Sequence, residues 1–248
     1  MNGLLASEFR RFRSRKLVKV LTALEVLAIV ATGVIVLLTQ EYGLASLADV
    51  LMGTSLVLLS VGWMLGASAI GADWHAGHIT TILTWEPRRG RVMVAKIAAS
   101  LTGVFVLSLV IQALLGVALA VAAAGAGSTA GADAAWLAES AGVALRVALL
   151  STIFAGFGFG LASAGRNTAV ALGVGFGYLV IVENLVRGLR PRWTPWLLTD
   201  NAAMVVIGRP LDFPELGRST IEAGLYLSAV AAVLLLAAAG LFRARDVN

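Results

Sequence analysis

Six runs of apolar residues constrain this chain more than anything else in it. They extend over Leu17–Thr39, Ala48–Ile70, Lys96–Ala124, Gly142–Ala164, Thr168–Val186 and Thr220–Phe242. A helix rises about 1.5 Å per residue, so about 20 residues cross a hydrocarbon core of about 30 Å. No water reaches backbone N–H and C=O groups there, and only a helix lets such a run satisfy its own backbone. The spacing predicts an all-α polytopic membrane protein with six transmembrane helices. Composition agrees, with 59% hydrophobic and 13% charged residues among 248, against about 25% charged in soluble domains. The mean hydropathy is +0.90. The polar stretches are too short for a soluble domain, so residues 1–248 read as a single transmembrane domain. The first run is too long for a signal-peptide core and ends without a small-residue cleavage site, so no cleaved leader is expected. There are no cysteines, which excludes disulfides and thiolate metal sites.

The net charge of +5 invites a nucleic-acid reading, but its distribution follows membrane topology instead. Lys and Arg concentrate in the cytoplasmic loops of membrane proteins. With the N-terminus inside, Arg10, Arg11, Arg13, Arg15, Lys16, Lys19, Arg88, Arg89, Arg91, Lys96, Arg166, Arg243 and Arg245 are cytoplasmic. The first two outer loops hold only Glu41, Asp49, Asp133 and Glu139 as charges. Both termini are therefore expected in the cytoplasm of a bacterial inner-membrane protein, with the lipid bilayer as a partner and no nucleic acid. Five arginines depart from the rule, Arg187, Arg190, Arg192, Arg209 and Arg218, all in the last outer loop. They imply that this loop is structured.

Residues 1–16 read as a basic interfacial helix. Leu5, Phe9 and Phe12 fall on one face of a helical wheel, with Arg10, Arg11 and Arg13 on the others. Such a helix lies in the headgroup plane and anchors to anionic lipid. The segment 71–95 after the second run reads Asp73-Trp74-His75-Ala76-Gly77-His78-Ile79-Thr80-Thr81-Ile82-Leu83-Thr84-Trp85-Glu86-Pro87-Arg88-Arg89-Gly90-Arg91. Trp74–Trp85 suits a short amphipathic helix, stopped by Pro87, and the basic turn after it leads into the third span at Lys96. A two-turn helix with a basic exit suits a knob for a cytoplasmic partner.

In this layout the chain resembles the permease subunits of type-2 ABC exporters. Those permeases have six spans, an amphipathic N-terminal elbow helix and a cytoplasmic coupling helix between spans two and three. The matching residues are Asp73, Gly77, Ile79, Thr80, Leu83, Pro87, Arg88, Arg89, Arg91 and Lys96, with Trp74 in the same segment. His78 stands where Thr is commoner, and Asp73 where Glu is commoner. The resemblance implies export of a hydrophobic or amphipathic substrate by alternating access. It also implies a second permease copy, as homodimer or close heterodimer, and a separate ATPase subunit that binds ATP and Mg. The chain has no Gly-x-x-x-x-Gly-Lys-Ser/Thr loop to cradle phosphates, so no cofactor and no catalytic residue are expected in it.

Other chemistry finds little support. Asp73, His75 and His78 read as polar surface rather than a metal site. An intramembrane enzyme would need a nucleophile or metal with a base, and neither His-Glu-x-x-His nor Gly-x-Ser-x-Gly is present. An ATP-independent secondary transporter would favour inverted repeats with broken spans at matching positions, and none is visible. A membrane assembly or scaffold subunit leaves no signature to test.

Charges inside spans cost about 2.5–3.5 kcal/mol each at a bilayer centre. Glu25, Arg146 and Glu183 qualify, and they read either as a polar lining of the permeation path or as snorkelling and pairing near span ends. Equal depth in adjacent spans predicts that Arg146 pairs with Glu183, with Glu222 and Arg187 as rival partners. Glu222 itself opens span six and reads as interfacial. Three small-xxx-small patterns, Gly62/Gly66, Gly156/Gly160 and Gly173/Gly177, are candidate helix contacts. The last outer loop, residues 187–219, carries Pro191, Pro195, Pro210 and Pro214 with an apolar stretch between them. It reads as a re-entrant or interfacial helix capping the outer vestibule.

Overall fold

The computed structural model describes residues 2–39, 42–208 and 217–244. Glu41, Arg209, Pro210, Pro214 and Arg245, which figured in the expectations above, lie outside the described residues. The fold is helical, and among the described residues six helices are long and apolar enough to cross a membrane. In chain order the elements are α1 (Asn2–Ser14), α2 (Lys16–Thr39), α3 (Leu47–Gly53), α4 (Ser55–His75), α5 (His78–Trp85), α6 (Arg89–Ala126) and α7 (Ala134–Gly165). They continue with α8 (Thr168–Gly177), a π-helical turn Tyr178–Val182, α9 (Glu183–Leu189), α10 (Leu198–Ile207) and α11 (Thr220–Ala244). The six spans are α2, α4, α6, α7, the α8–α9 unit and α11.

Several boundaries differ from the hydropathy reading, among them the start of span four, at Ala134 rather than Gly142. The apolar run from Ala48 is two helices, α3 and then α4, because the backbone turns at Thr54, whose hydroxyl donates to the Leu51 carbonyl. Span two therefore starts at Ser55 and runs on through Asp73 to His75. Span three starts at Arg89 rather than Lys96. Hydropathy marks the membrane core, whereas a helix continues through basic residues until a proline or a cap ends it. The helices α6 and α7, at 38 and 32 residues, reach about 57 and 48 Å, well beyond a hydrocarbon core.

The centre of the bundle is the pair α4–α7. In its most apolar stretch α7 is 72% buried, against 11% for α2. Glycine makes the approach possible. A Cβ at Gly62 would lie 2.4 Å from the Ser151 carbonyl oxygen, one at Gly66 2.0 Å from that of Ala155, and one at Gly158 2.1 Å from that of Trp63. Gly156 and Gly160 face α11 instead, with Leu234 Cβ 3.0 Å from a Cβ built at Gly160. Nothing lies within 4 Å of either position in Gly173/Gly177. Trp63 fills the space beside the glycine contacts, ringed by Phe154, Phe157 and Phe176 at 5.8–6.5 Å between centroids. Its indole N–H donates to the Ala171 carbonyl at 3.3 Å.

The ends of the helices sort into two groups. At one end Arg89 donates to the Arg243 carbonyl, Arg166 stacks on Trp74 at 4.6 Å, and Trp74 packs edge-on against Phe242. The start of α6, the end of α4, the α7–α8 link and the end of α11 therefore meet. At the other end the first two connecting loops are stapled by Leu44 N–H to the Ser128 carbonyl and by the Trp136 indole to the Leu44 carbonyl, both 2.8 Å.

These contacts predict an asymmetry among glycines. Gly66→Ala should lower stability by about 1–3 kcal/mol through overpacking, while Gly173→Ala should be neutral or slightly stabilising. Thermal unfolding in detergent checks both, and equal effects would contradict the α4–α7 contact as the organising one.

Candidate functional site

At the basic end five ionisable groups meet between α1, α4 and α6. The Lys96 ammonium, 2% exposed as a residue, lies 3.0 Å from Glu8 and also bonds Asp73. Arg15 donates to Asp73 at 2.9 Å, and to the carbonyls of Ser68 and Ala69 at 2.9 and 2.8 Å. Arg11 stands 3.6 Å from Glu8 and 3.8 Å from Asp73. Two buried carboxylates are thus answered by three cations from three elements. Asp73 was expected on a docking knob. It is instead 2% exposed inside this joint, because Lys96 sits opposite it.

The sequence explains how α1 reaches the joint. Glu8, Arg11 and Phe12 are spaced i, i+3 and i+4, which places them on one face of α1, and Arg15 follows directly after the helix ends at Ser14. That face turns inward. Phe12 is buried against Gly103 of α6, where a Cβ would come within 2.6 Å of the ring. Phe9 is partly buried, and Arg10 and Arg13 are exposed. The wheel grouped Phe9 and Phe12 for lipid, but Phe12 is taken by span three. Glu8 went unremarked, although it is the only acidic residue before Glu25, and that isolation was the available signal.

The joint carries α5. The expected helix from Trp74 to Trp85 is interrupted: Trp74 belongs to the last turn of α4, and Gly77 turns the chain at φ +67° before α5 begins at His78. Ile79 is buried, and Leu83 packs beside it on the Met93–Phe242 cluster. Thr80, Thr81, Thr84 and Trp85 face out, Trp85 with 87% of its surface exposed. Gly77, Pro87 and Arg88 are also exposed, Arg89 is half-buried, and Arg91 pairs with Glu86 at 3.2 Å. Of the residues expected to dock a partner, Gly77, Thr80, Pro87 and Arg88 thus lie on the outer surface, whereas Asp73, Ile79 and much of Trp74 and Leu83 support it. His78 stands 3.9 Å from Asp73. Among the described residues no cluster of three metal-ligating side chains exists.

At the opposite end Arg146 and Glu183 do not pair. Each serves one end of α10. The Glu183 carboxylate, fully buried, accepts from the Leu198 N–H at 2.7 Å and the Thr199 N–H at 3.2 Å, and from the Thr199 hydroxyl. Arg187, one of the rival partners, joins it at 3.2 Å and reaches Asp200 at 3.1 Å. Arg146 donates to the Val206 carbonyl at 3.4 Å, and its guanidinium lies against Gly208, the left-handed residue that ends α10. An anion sits at the positive pole of the helix and a cation at its negative pole, the arrangement the backbone dipoles favour. Both charges stand toward the same end of the bundle, with α10 between them. Two of the five outer arginines are placed by contacts, Arg187 in this cap and Arg218 by stacking on Trp196 and Tyr226 at 4.6 and 4.8 Å.

Beside α10 lies an apolar cavity of about 250 Å³ between α4, α7 and α8, walled by Trp63, Phe154 and Phe176, with Ser55, Ser60 and Thr199 as its polar members. Neither composition nor motif pointed to it, because its wall comes from four separate elements.

Two predictions follow from these charges. Lys96→Met removes the one cation that bonds both buried carboxylates and leaves them to the two partly exposed arginines, which should cost up to about 3 kcal/mol; Arg13→Ala, exposed, should change stability by less than about 0.5 kcal/mol. Exchanging Arg146→Glu and Glu183→Arg together should not restore the loss from either change, since the exchange sets both charges against α10. A rescued double variant in the same unfolding assay would show direct pairing.

No protein-family model matches this chain, and none of the curated proteins is significantly similar to it, which leaves topology and site geometry as the grounds for a functional reading.

Proposed function

We propose that this chain is the transmembrane permease subunit of an ATP-driven exporter of the ABC type. It would work as a dimer in the inner membrane of a bacterium and be powered by a separate ATPase that binds ATP and Mg. The observation that carries the reading is α5. It is a two-turn helix between spans two and three, at the end of the bundle where basic residues gather. Its apolar side is fixed by Ile79 and Leu83, while Thr80, Thr81, Thr84 and Trp85 are presented outward. Exposed tryptophan is costly on a surface that meets only water, and it is common where proteins dock.

The joint gives such a docking helix something to act on. Force applied to α5 passes to α4 through the Gly77 turn and to α6 through Glu86–Arg88. Asp73 and Lys96 lock those two spans together and to α1. Partner movement would then displace spans two and three as a pair rather than bend a loop. The cavity walled by Trp63, Phe154 and Phe176 suits an apolar portion of the cargo, and the polar groups at its edge suit an amphipathic one. In this reading α1 is the elbow helix, with Arg10 and Arg13 toward anionic headgroups and the termini cytoplasmic.

The test is purification. The tagged chain extracted in detergent should bring down a soluble ATPase and hydrolyse no ATP without it. Trp85→Ala should lower the ATPase recovered about tenfold or more, with the unfolding temperature of the permease unchanged. A chain that moves an amphipathic dye into vesicles on an ion gradient, with no ATPase present, would overturn the proposal.

A further inference from the structure

One buried charge in the bundle has no answer. Glu25 of α2 is 8% exposed, and neither carboxylate oxygen has a hydrogen-bond partner among the described residues. It opens on a cavity of about 130 Å³ between α2, the α3–α4 turn and α6. Gln112 of α6 faces the same space, 2% exposed, with its side-chain oxygen also unpartnered.

The remaining polar groups of the cavity share one property. Thr32 donates its hydroxyl hydrogen to the Ala28 carbonyl at 2.9 Å, and Thr54 donates its own to Leu51 at 2.8 Å. Gln112 uses an amide hydrogen on the Ala144 carbonyl at 2.9 Å. Each hydroxyl therefore offers only lone pairs. The cavity presents two carboxylate oxygens, an amide oxygen and two hydroxyl oxygens as acceptors, and its only side-chain hydrogen left over is the second amide hydrogen of Gln112. The rest of the wall is apolar, including Ile29, Leu58, Ile111 and Leu115. Ala28 and Val57 at the rim are exposed on the flank of the bundle, beside the exposed Leu24 and Leu27.

We propose that this cavity binds the ammonium head of a primary alkylamine, with the alkyl chain lying out along the flank. An ammonium carries three N–H donors and a positive charge, which matches a buried carboxylate without a partner in a cavity whose other polar groups offer mainly lone pairs. A quaternary ammonium has the charge without the donors, an alcohol has one donor without the charge, and an anion is repelled. The opening onto an apolar flank admits a ligand from the hydrocarbon phase and lets its chain stay there. The inference depends on the six apolar spans and not on the permease reading, so either can fail without the other.

Dodecylamine, dodecyltrimethylammonium and dodecanol provide the test, on the full chain in detergent and in a buffer free of primary amines. Unfolding temperature is followed for the wild type, Glu25→Gln and Gln112→Leu. Dodecylamine at about tenfold its dissociation constant should raise the wild-type midpoint by about 4 °C. It should leave Glu25→Gln unmoved and shift Gln112→Leu by less than half as much. Dodecyltrimethylammonium and dodecanol should give no comparable rise. An equal rise in wild type and Glu25→Gln, an equal rise with the quaternary amine, or no rise with dodecylamine would each overturn the site. A rise with sodium or potassium chloride that Glu25→Gln abolishes, without one from dodecylamine, would assign the cavity to an inorganic cation and overturn the amine.

Discussion

A charge withdrawn from water into an apolar bundle must be answered at close range. The desolvation of an isolated ion amounts to several kcal/mol even after the protein relaxes, a large part of the stability of any fold. Three different answers occur in this chain. At the basic end Glu8 and Asp73 are met by Lys96, Arg15 and Arg11, and the elements that supply them are thereby held together. At the other end Glu183 and Arg146 are met by the two poles of α10. In the groove beside α2, Glu25 is met by nothing among the described residues. The first two answers make structure, and the third leaves a vacancy with a defined chemical preference.

How the joint is built bears on what it can transmit. Its members come from helices that also touch elsewhere: Phe12 seats α1 on Gly103, and Gly62, Gly66 and Gly158 seat α4 on α7. Steric contact positions the helices, and the ion pairs then fix their relative register at one end. A buried pair of this kind adds little net stability compared with an apolar substitute of the same shape, but breaking one partner is costly. Such a joint therefore resists being half-made. That property is useful where a helix such as α5 must hold a fixed attitude to the spans behind it.

Much of the fold was legible because the bilayer imposes a length and an alternation of sides. Six long apolar helices follow from the first of those constraints, and hydropathy alone recovered them. Features smaller than a span were less accessible. The apolar run is divided at Gly53 and Thr54, and Gly53 alone is a weak signal because Gly62 and Gly66 in the same run stay helical. Gly77 divides the amphipathic segment, and its left-handed backbone becomes apparent only with the chain in place. Arg146 and Glu183 both meet partners, though not each other. Their partners were backbone groups of α10, and depth arguments that compare side chains alone do not include a helix lying across the path.

The three buried-charge sites also differ in what the sequence can reveal about them. For the joint, the informative residue is Glu8, a single acid in a basic segment whose spacing to Arg11 and Phe12 defines one face. For α10, the apolar stretch between prolines signals the helix but not which charges will cap it. For Glu25 the sequence shows an intramembrane acid and nothing more. That Gln112 lines the same cavity with its oxygen unpartnered, and that Thr32 and Thr54 have already spent their hydrogens, depends on which faces of three helices meet. A site whose hydroxyls act only as acceptors is a statement about hydrogen positions, and those are set by local backbone geometry in each helix separately. Threonine in a helix returns its hydroxyl hydrogen to the carbonyl three or four residues back. Two threonines facing one cavity from helical or turn backbone will therefore face it as acceptors. Beside a carboxylate they deepen the negative potential instead of relieving it, and this is why Glu25 calls for a donor from outside the chain.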